Sequence, residues 1–213
     1  VDSFSYLVLG HVFVANMTGN VVFFAFALAG VGGFSAPASV AAIGCFAAGA
    51  LAAGRLGRSL AGSPAGRREL LLGVTAGIEA VIVAETVTMA ALTSRPIPAG
   101  LRYALIVSLS LAMGAQNATA RKLAVPDLTT TVLTLTITGI AADSPVAGAT
   151  GAHAARRLIS VAAMFIGALA GALLVLRVHI VYPLVIALII LTAVAVLGAT
   201  RARNPRTSPH PAT

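Results

Sequence analysis

Residues 158–176, LISVAAMFIGALAGALLVL, run for nineteen positions without a formal charge and are bracketed by Arg157 and Arg177. At about 1.5 Å of rise per residue, such a helix covers the roughly 30 Å hydrocarbon core of a bilayer. Working outward, residues 180–200 are again charge-free and end at Arg201, and residues 39–54 are apolar and small and stop at Arg55. Residues 70–92 are apolar apart from two glutamates, and 101–123 stay apolar until Arg121 and Lys122. A sixth run, 4–30, is long and carries a polar break, and a seventh, 128–142, is only moderately apolar.

The composition of the 213 residues agrees: 58% are hydrophobic and 9% charged, with a mean hydropathy of +0.98. Soluble domains carry about 25% charged residues, and disordered chains are poor in apolar ones. Both classes are excluded. A single cysteine, Cys45, and four scattered histidines (His11, His153, His179 and His210) supply no disulfide framework and no ligand spacing for a metal. No cofactor is expected. The expected fold is an all-α, polytopic transmembrane helix bundle with about six spans and a re-entrant or broken-helix segment. It forms one transmembrane domain over residues 1–203, followed by a disordered tail at 204–213 that holds three prolines. The chain opens inside an apolar run, so the N-terminal part of the first span is read as missing.

The net charge of +8 would suggest nucleic acid in a soluble protein. Here it is a matter of placement. With six crossings and the N-terminus inside, Arg55, Arg58, Arg67, Arg68, Arg156, Arg157, Arg201, Arg203 and Arg206 fall on one side and Arg95, Arg102 and Arg177 on the other. Nine against three follows the positive-inside rule, whereas eight crossings divide the basic residues almost evenly. The bias favours six crossings, with 128–142 re-entrant or part of a broken helix. The excess charge then reports topology and contact with an anionic leaflet of the lipid bilayer, not a nucleic-acid partner.

Polar groups at membrane depth need a partner or a wet cavity. Asn16-Met17-Thr18-Gly19-Asn20 interrupts the first run, with its two amides four apart and thus on one face of a helix. It reads as a discontinuous helix lining a solute site, or as a packing motif of amides bonded between helices. Gln116 and Asn117 stand near the end of their span, where an interhelical bond is the plainer reading. In the threonine-rich stretch 129–138, Thr134, Thr136 and Thr138 alternate as on a strand, while Thr130, Thr134 and Thr138 share a helical face. An open strand edge cannot face lipid, so the helical or protein-buried reading prevails. Glu79 and Glu85 lie inside 70–92, each costing about 2.5–3.5 kcal/mol at mid-membrane on insertion scales. They read either as carboxylates for proton or cation coupling or as hydrogen-bonded glue between helices. Gly44, Ala48, Gly49, Ala52, Ala53 and Gly54, with Gly167 and Gly171, form small faces for close helix packing.

A shift of 116 residues sets Met17-Thr18-Gly19-Asn20 over Leu133-Thr134-Leu135-Thr136 and 39–54 over the run at 158–176. The match is loose, but it suits two halves of three crossings. Halves with an odd number of crossings must be inverted relative to each other, a plan common among secondary transporters.

Residues 12–20 (VFVANMTGN), 112–118 (AMGAQNA) and 129–134 (TTTVLT) closely resemble the YoaK-like family of bacterial membrane proteins, which carry a domain of unknown function. The resemblance covers essentially the whole chain, and Asp2 is similar to the family's acidic residue upstream of the first motif. Where the family's second-half motif reads Thr-Gly-Thr, this chain has Leu135 in place of the glycine, and the close backbone approach of a glycine is not expected there. The resemblance implies a multi-pass protein of a bacterial cytoplasmic (inner) membrane with about six spans and supplies no substrate.

Two functions follow as expectations. The first is a small-solute transporter or permease, with Asn16, Thr18, Asn20, Gln116, Asn117, Thr130 and Thr134 as substrate-binding candidates and Glu79 and Glu85 as ion-coupling candidates. The alternative is a non-catalytic membrane partner or scaffold subunit whose polar motifs only specify packing; a homo-oligomer is compatible with either function. An enzyme is not expected, because HExxH, GxSxG and any histidine cluster are absent from the sequence.

Overall fold

The computed structural model describes residues 1–59, 67–93, 97–123, 133–142 and 154–203. Among the described residues all regular structure is helical: α1 (Asp2–Val8), α2 (Met17–Leu28), α3 (Ala36–Ser59), α4 (Arg67–Leu92), α5 (Ala99–Leu123), α6 (Leu133–Ala142), α7 (Ala154–Leu173) and α8 (Tyr182–Arg203). A π turn over Leu174–Val178 finishes α7. Thr130 and the tail at 204–213 lie outside the described residues.

Four of these helices contain spans long and apolar enough to cross a membrane: Ala36–Arg58, Leu70–Leu92, Leu158–Val178 and Tyr182–Ala202. α5 has the length, at 25 residues, but Ser108, Ser110, Gln116 and Asn117 dilute its apolarity. Its Leu105, Ile106, Leu109, Ser110, Ala112, Gly114 and Thr119 are buried. It packs against α3 on one side and α4 on another, while α8 lies along α4.

The ends of the helices sort into two sets. Ser35 and Tyr103 meet at 3.5 Å, joining the starts of α3 and α5. A Cβ at Gly57 would lie 2.6 Å from Lys122 Nζ, joining their far ends, so the two helices run parallel. A Cβ at Gly73 would lie 3.1 Å from the Ala199 nitrogen, so the start of α4 sits with the end of α8. One end of the bundle therefore carries Arg55, Arg58, Arg121, Lys122 and Arg201, and the other carries Arg102 and Arg177. Arg121 and Lys122 add to the basic side that loop charges alone defined.

Glycine sets the closest approach. A Cβ on Gly49 would fall on the Leu111 carbonyl of α5, and one on Gly114 would fall on the Phe46 carbonyl of α3. These reciprocal contacts let the two backbones touch, as small residues do between membrane helices. Gly44 and Gly54, on the same small-residue helix, face open space.

Thr75 and Thr119 bridge α4 and α5 at 3.1 Å. Thr75 already donates to the Leu71 carbonyl at 2.8 Å, so it accepts from Thr119. Thr75→Val should cost about 0.6 kcal/mol, the average for such bonds in a membrane protein, with about 1.7 as the upper end. A thermal melt of the detergent-solubilised protein checks this, and an unchanged midpoint would remove the bond from the account.

The first apolar run departs from expectation. It is not a single broken helix continuing in one direction. After α1 the chain turns sharply through Gly10 and His11, both with positive φ (93° and 56°). It then runs back along α1 without regular structure and turns again at Asn16 into α2.

Candidate functional site

The contacts around residues 9–16 trace the reversal level by level. At the top, His11 Nδ1 lies 2.9 Å from the Gly33 carbonyl, and a Cβ at Gly10 would sit 3.4 Å from the Arg102 guanidinium. This level therefore coincides with the start of α3 and of α5. One step down, the Tyr6 ring stacks on Phe13 at 5.1 Å, and Phe13 on Phe23 at 5.6 Å. Deeper still, the Asp2 carboxylate Oδ1 accepts from the Val14 and Ala15 N–H groups at 3.1 and 2.9 Å. The twelve residues of α2 then span about 18 Å back toward the level of His11. That is too short to cross a roughly 30 Å core. The chain thus reverses and comes back on the side from which it turned, a re-entrant shape with Asn16 at its tip.

Irregular backbone within a membrane leaves N–H and C=O groups that lipid cannot satisfy. The polar residues of the run answer this directly. Asn20, fully buried, holds Phe13 by both backbone groups: the Phe13 N–H donates to Oδ1 at 2.9 Å and Nδ2 donates to the Phe13 carbonyl at 2.6 Å. Asn16 caps α2 by accepting from the Gly19 N–H at 3.2 Å. Gly19 is needed for space, since a Cβ there would lie 2.8 Å from the Phe13 ring. The two amides four residues apart thus have different tasks: Asn16 stands outside the helix and Asn20 inside it, and both bond to local backbone. Asp2 is the polar partner fourteen residues from Asn16 that links α1 to the returning strand of chain. Its acidic character was visible in the sequence, but no spacing rule tied it to 14–15.

At the tip, Asn16 and Thr18 remain exposed, while Val12 and Val14 are buried. Glu79, in the middle of α4, is 2% exposed, and its Oε1 has no hydrogen-bond partner among the described residues. Glu85 is exposed on the same helix. Gln116 is half-buried, and Asn117 donates to the Met113 carbonyl of its own helix at 2.8 Å. Thr134 is exposed on α6.

The candidates do not gather around one described cavity. A shallow apolar concavity runs along α8, lined by Leu188, Ile189, Thr192, Ala193, Val196 and Leu197. Among the described residues no group of histidine, cysteine and acidic side chains could hold a metal. What the structure does bring together is the set Asp2, Phe13, Asn16, Gly19 and Asn20, which builds the re-entrant loop.

Residues 1–197 match the family described as "Protein of unknown function (DUF1275)", and the chain belongs to that family. This is consistent with the resemblance carried by the three sequence motifs. No curated protein and no solved structure matches the chain.

Proposed function

We propose that this member of the family is a membrane permease for small polar solutes, and that the tip of the re-entrant loop is part of its path. The observation that carries the reading is the exposure of Asn16 and Thr18 at the tip of the loop beside irregular backbone, which the proposal sets at mid-depth. Backbone of this kind is tolerated in the hydrocarbon region only inside protein or beside a water-filled cavity. Discontinuous helices at such depth are a recurrent device of solute sites in transporters. The basic end of the bundle faces the cytoplasm of a bacterial inner membrane in this reading.

Glu79 is the coupling group of the proposal. A carboxylate buried without a partner is costly to keep charged, and intramembrane carboxylates recur in proton relays. Glu85, exposed on another side of α4, has no part in it.

The test is uptake into proteoliposomes of a panel of sugars, amino acids and organic acids, with a trapped pH dye reporting proton movement. Wild-type protein should move at least one of them. Glu79→Gln should lose coupled flux while melting like wild type. Absence of flux for the whole panel, together with wild-type behaviour of Glu79→Gln in cells, would remove the proposal.

A second reading has its own observation. In the Leu158–Val178 span Val175 is the buried residue, and Phe165, Ile166 and Leu169 are exposed. A partner subunit or a second copy of the chain could cover such a face. Co-purification at fixed stoichiometry with another protein would favour this alternative.

A further inference from the structure

α6 is the element for which neither reading gives a reason. The described helices fix its surroundings. α5 ends at Lys122 and Leu123 on the basic end. α8 returns from the opposite end to Gly73 on the basic end. α7 therefore runs from the basic end toward the other one, where Val175 and Ile180 share a core with Leu9 and Val12. The chain thus leaves α5 and enters α7 on the same side. The ten residues of α6 cover about 15 Å, half of what a crossing needs.

Three independent observations relate α6 to α2. The first is position. A shift of 116 lays α2 (Met17–Leu28) over α6 (Leu133–Ala142), α3 (Ala36–Ser59) over α7 (Ala154–Leu173) and α4 (Arg67–Leu92) over α8 (Tyr182–Arg203).

The second is burial. Residues 18, 20, 21, 22, 23, 24, 25 and 26 read exposed, buried, exposed, exposed, half-buried, half-buried, exposed, exposed. Residues 134, 136, 137, 138, 139, 140, 141 and 142 give the same series. Thr136 stands at the position of Asn20, and these two are the buried residues of their helices among those described.

The third is packing register. Ser3 of α1 donates to the Ala168 carbonyl of α7 at 3.0 Å, and a Cβ at Gly171 would lie 3.0 Å from the Ser3 hydroxyl. Moved by 116 in opposite senses, these pairs set residue 119 of α5 against residues 52–55 of α3, an offset of 64–67. The observed contacts of α3 with α5 have offsets of 62 (Gly49 to Leu111), 65 (Gly57 to Lys122) and 68 (Phe46 to Gly114). The two interfaces repeat each other.

The ends differ, however: α1 finishes at the level of Arg102 and α5 at the basic end. The repeat is inverted. We propose that α6 is the inverted counterpart of α2, a re-entrant helix entering the bilayer from the basic face with its first turn at mid-depth. The chain then offers one half-helix to each side of the membrane. This architecture gives two-sided access by symmetry, and it stands whether or not the solute proposal does.

Thiol labelling tests it. In a Cys45→Ser background, single cysteines replace Ala142 at the end of α6, Thr134 in its first turn and Gly32 after α2. A membrane-impermeant maleimide is applied to right-side-out and inside-out vesicles. The expected result is reaction at 142 only from the basic face and at 32 only from the opposite face, with residue 134 reached, if at all, from the basic face and more slowly than 142. Labelling of 142 from the same face as 32 would overturn the proposal, because α6 would then complete a crossing. Equal labelling rates at 134 and 142 would overturn it too, since α6 would lie along the surface. Loss of solute flux bears on neither result.

Discussion

Gly114→Ala is expected to destabilise the protein strongly. The added Cβ would fall on the Phe46 carbonyl, and a backbone oxygen in the middle of a 24-residue helix cannot swing aside as a side chain would. α3 and α5 must separate along their contact, and overpacking of this kind costs about 1–3 kcal/mol or more. Gly49→Ala should do the same through the Leu111 carbonyl. The double variant should cost less than the two single costs added, because one separation relieves both clashes. Gly44→Ala and Gly167→Ala are the controls, since both face open space. Thermal melts followed by size-exclusion chromatography in detergent report all five proteins. A wild-type melting point for Gly114→Ala would mean that α3 and α5 are not in backbone contact.

Asn20→Ala is the second large effect. It strips the Phe13 N–H and carbonyl of their shared partner, and each buried group left unpaired costs about 1–3 kcal/mol. The damage should be local, because the bundle of α3, α4, α5 and α8 does not depend on that amide. Hydrogen exchange should therefore rise at Phe13, Val14 and Ala15 while the long helices stay protected. Asp2→Ala should produce the same pattern at Val14 and Ala15, and Asp2→Asn a milder one, since an amide keeps one acceptor oxygen for those two N–H groups. Uniform exchange across the chain would show that the loop is not an independent unit.

The long helices were legible because apolar length is a local property: 158–176 and 180–200 need no knowledge of the rest. The break at Asn16–Asn20 was legible for the same reason. Its direction was not. A reversal depends on Asp2 meeting residues 14 and 15 and on His11 adopting a left-handed backbone, and neither is encoded in hydropathy. The 113–117 stretch shows another limit. Its amides attracted the functional reading, yet Gly114 makes the decisive contact, and its partner is a main-chain carbonyl in α3. Glu79 was the reverse case, since one carboxylate centred in an apolar run announces its own burial.

The bond from Ser3 to Ala168 joins residues 165 apart, and it has a consequence for biosynthesis. A ribosome delivers α1 long before α7 exists, so α1 must wait in the bilayer, or beside the insertion machinery, for its partner. The re-entrant loop waits as well, because Gly10 meets Arg102 only once α5 has entered. Contacts this distant in sequence are slow to form, and the incomplete protein is then at its most vulnerable to quality-control proteases. The later-made α7 thus closes the fold against α1.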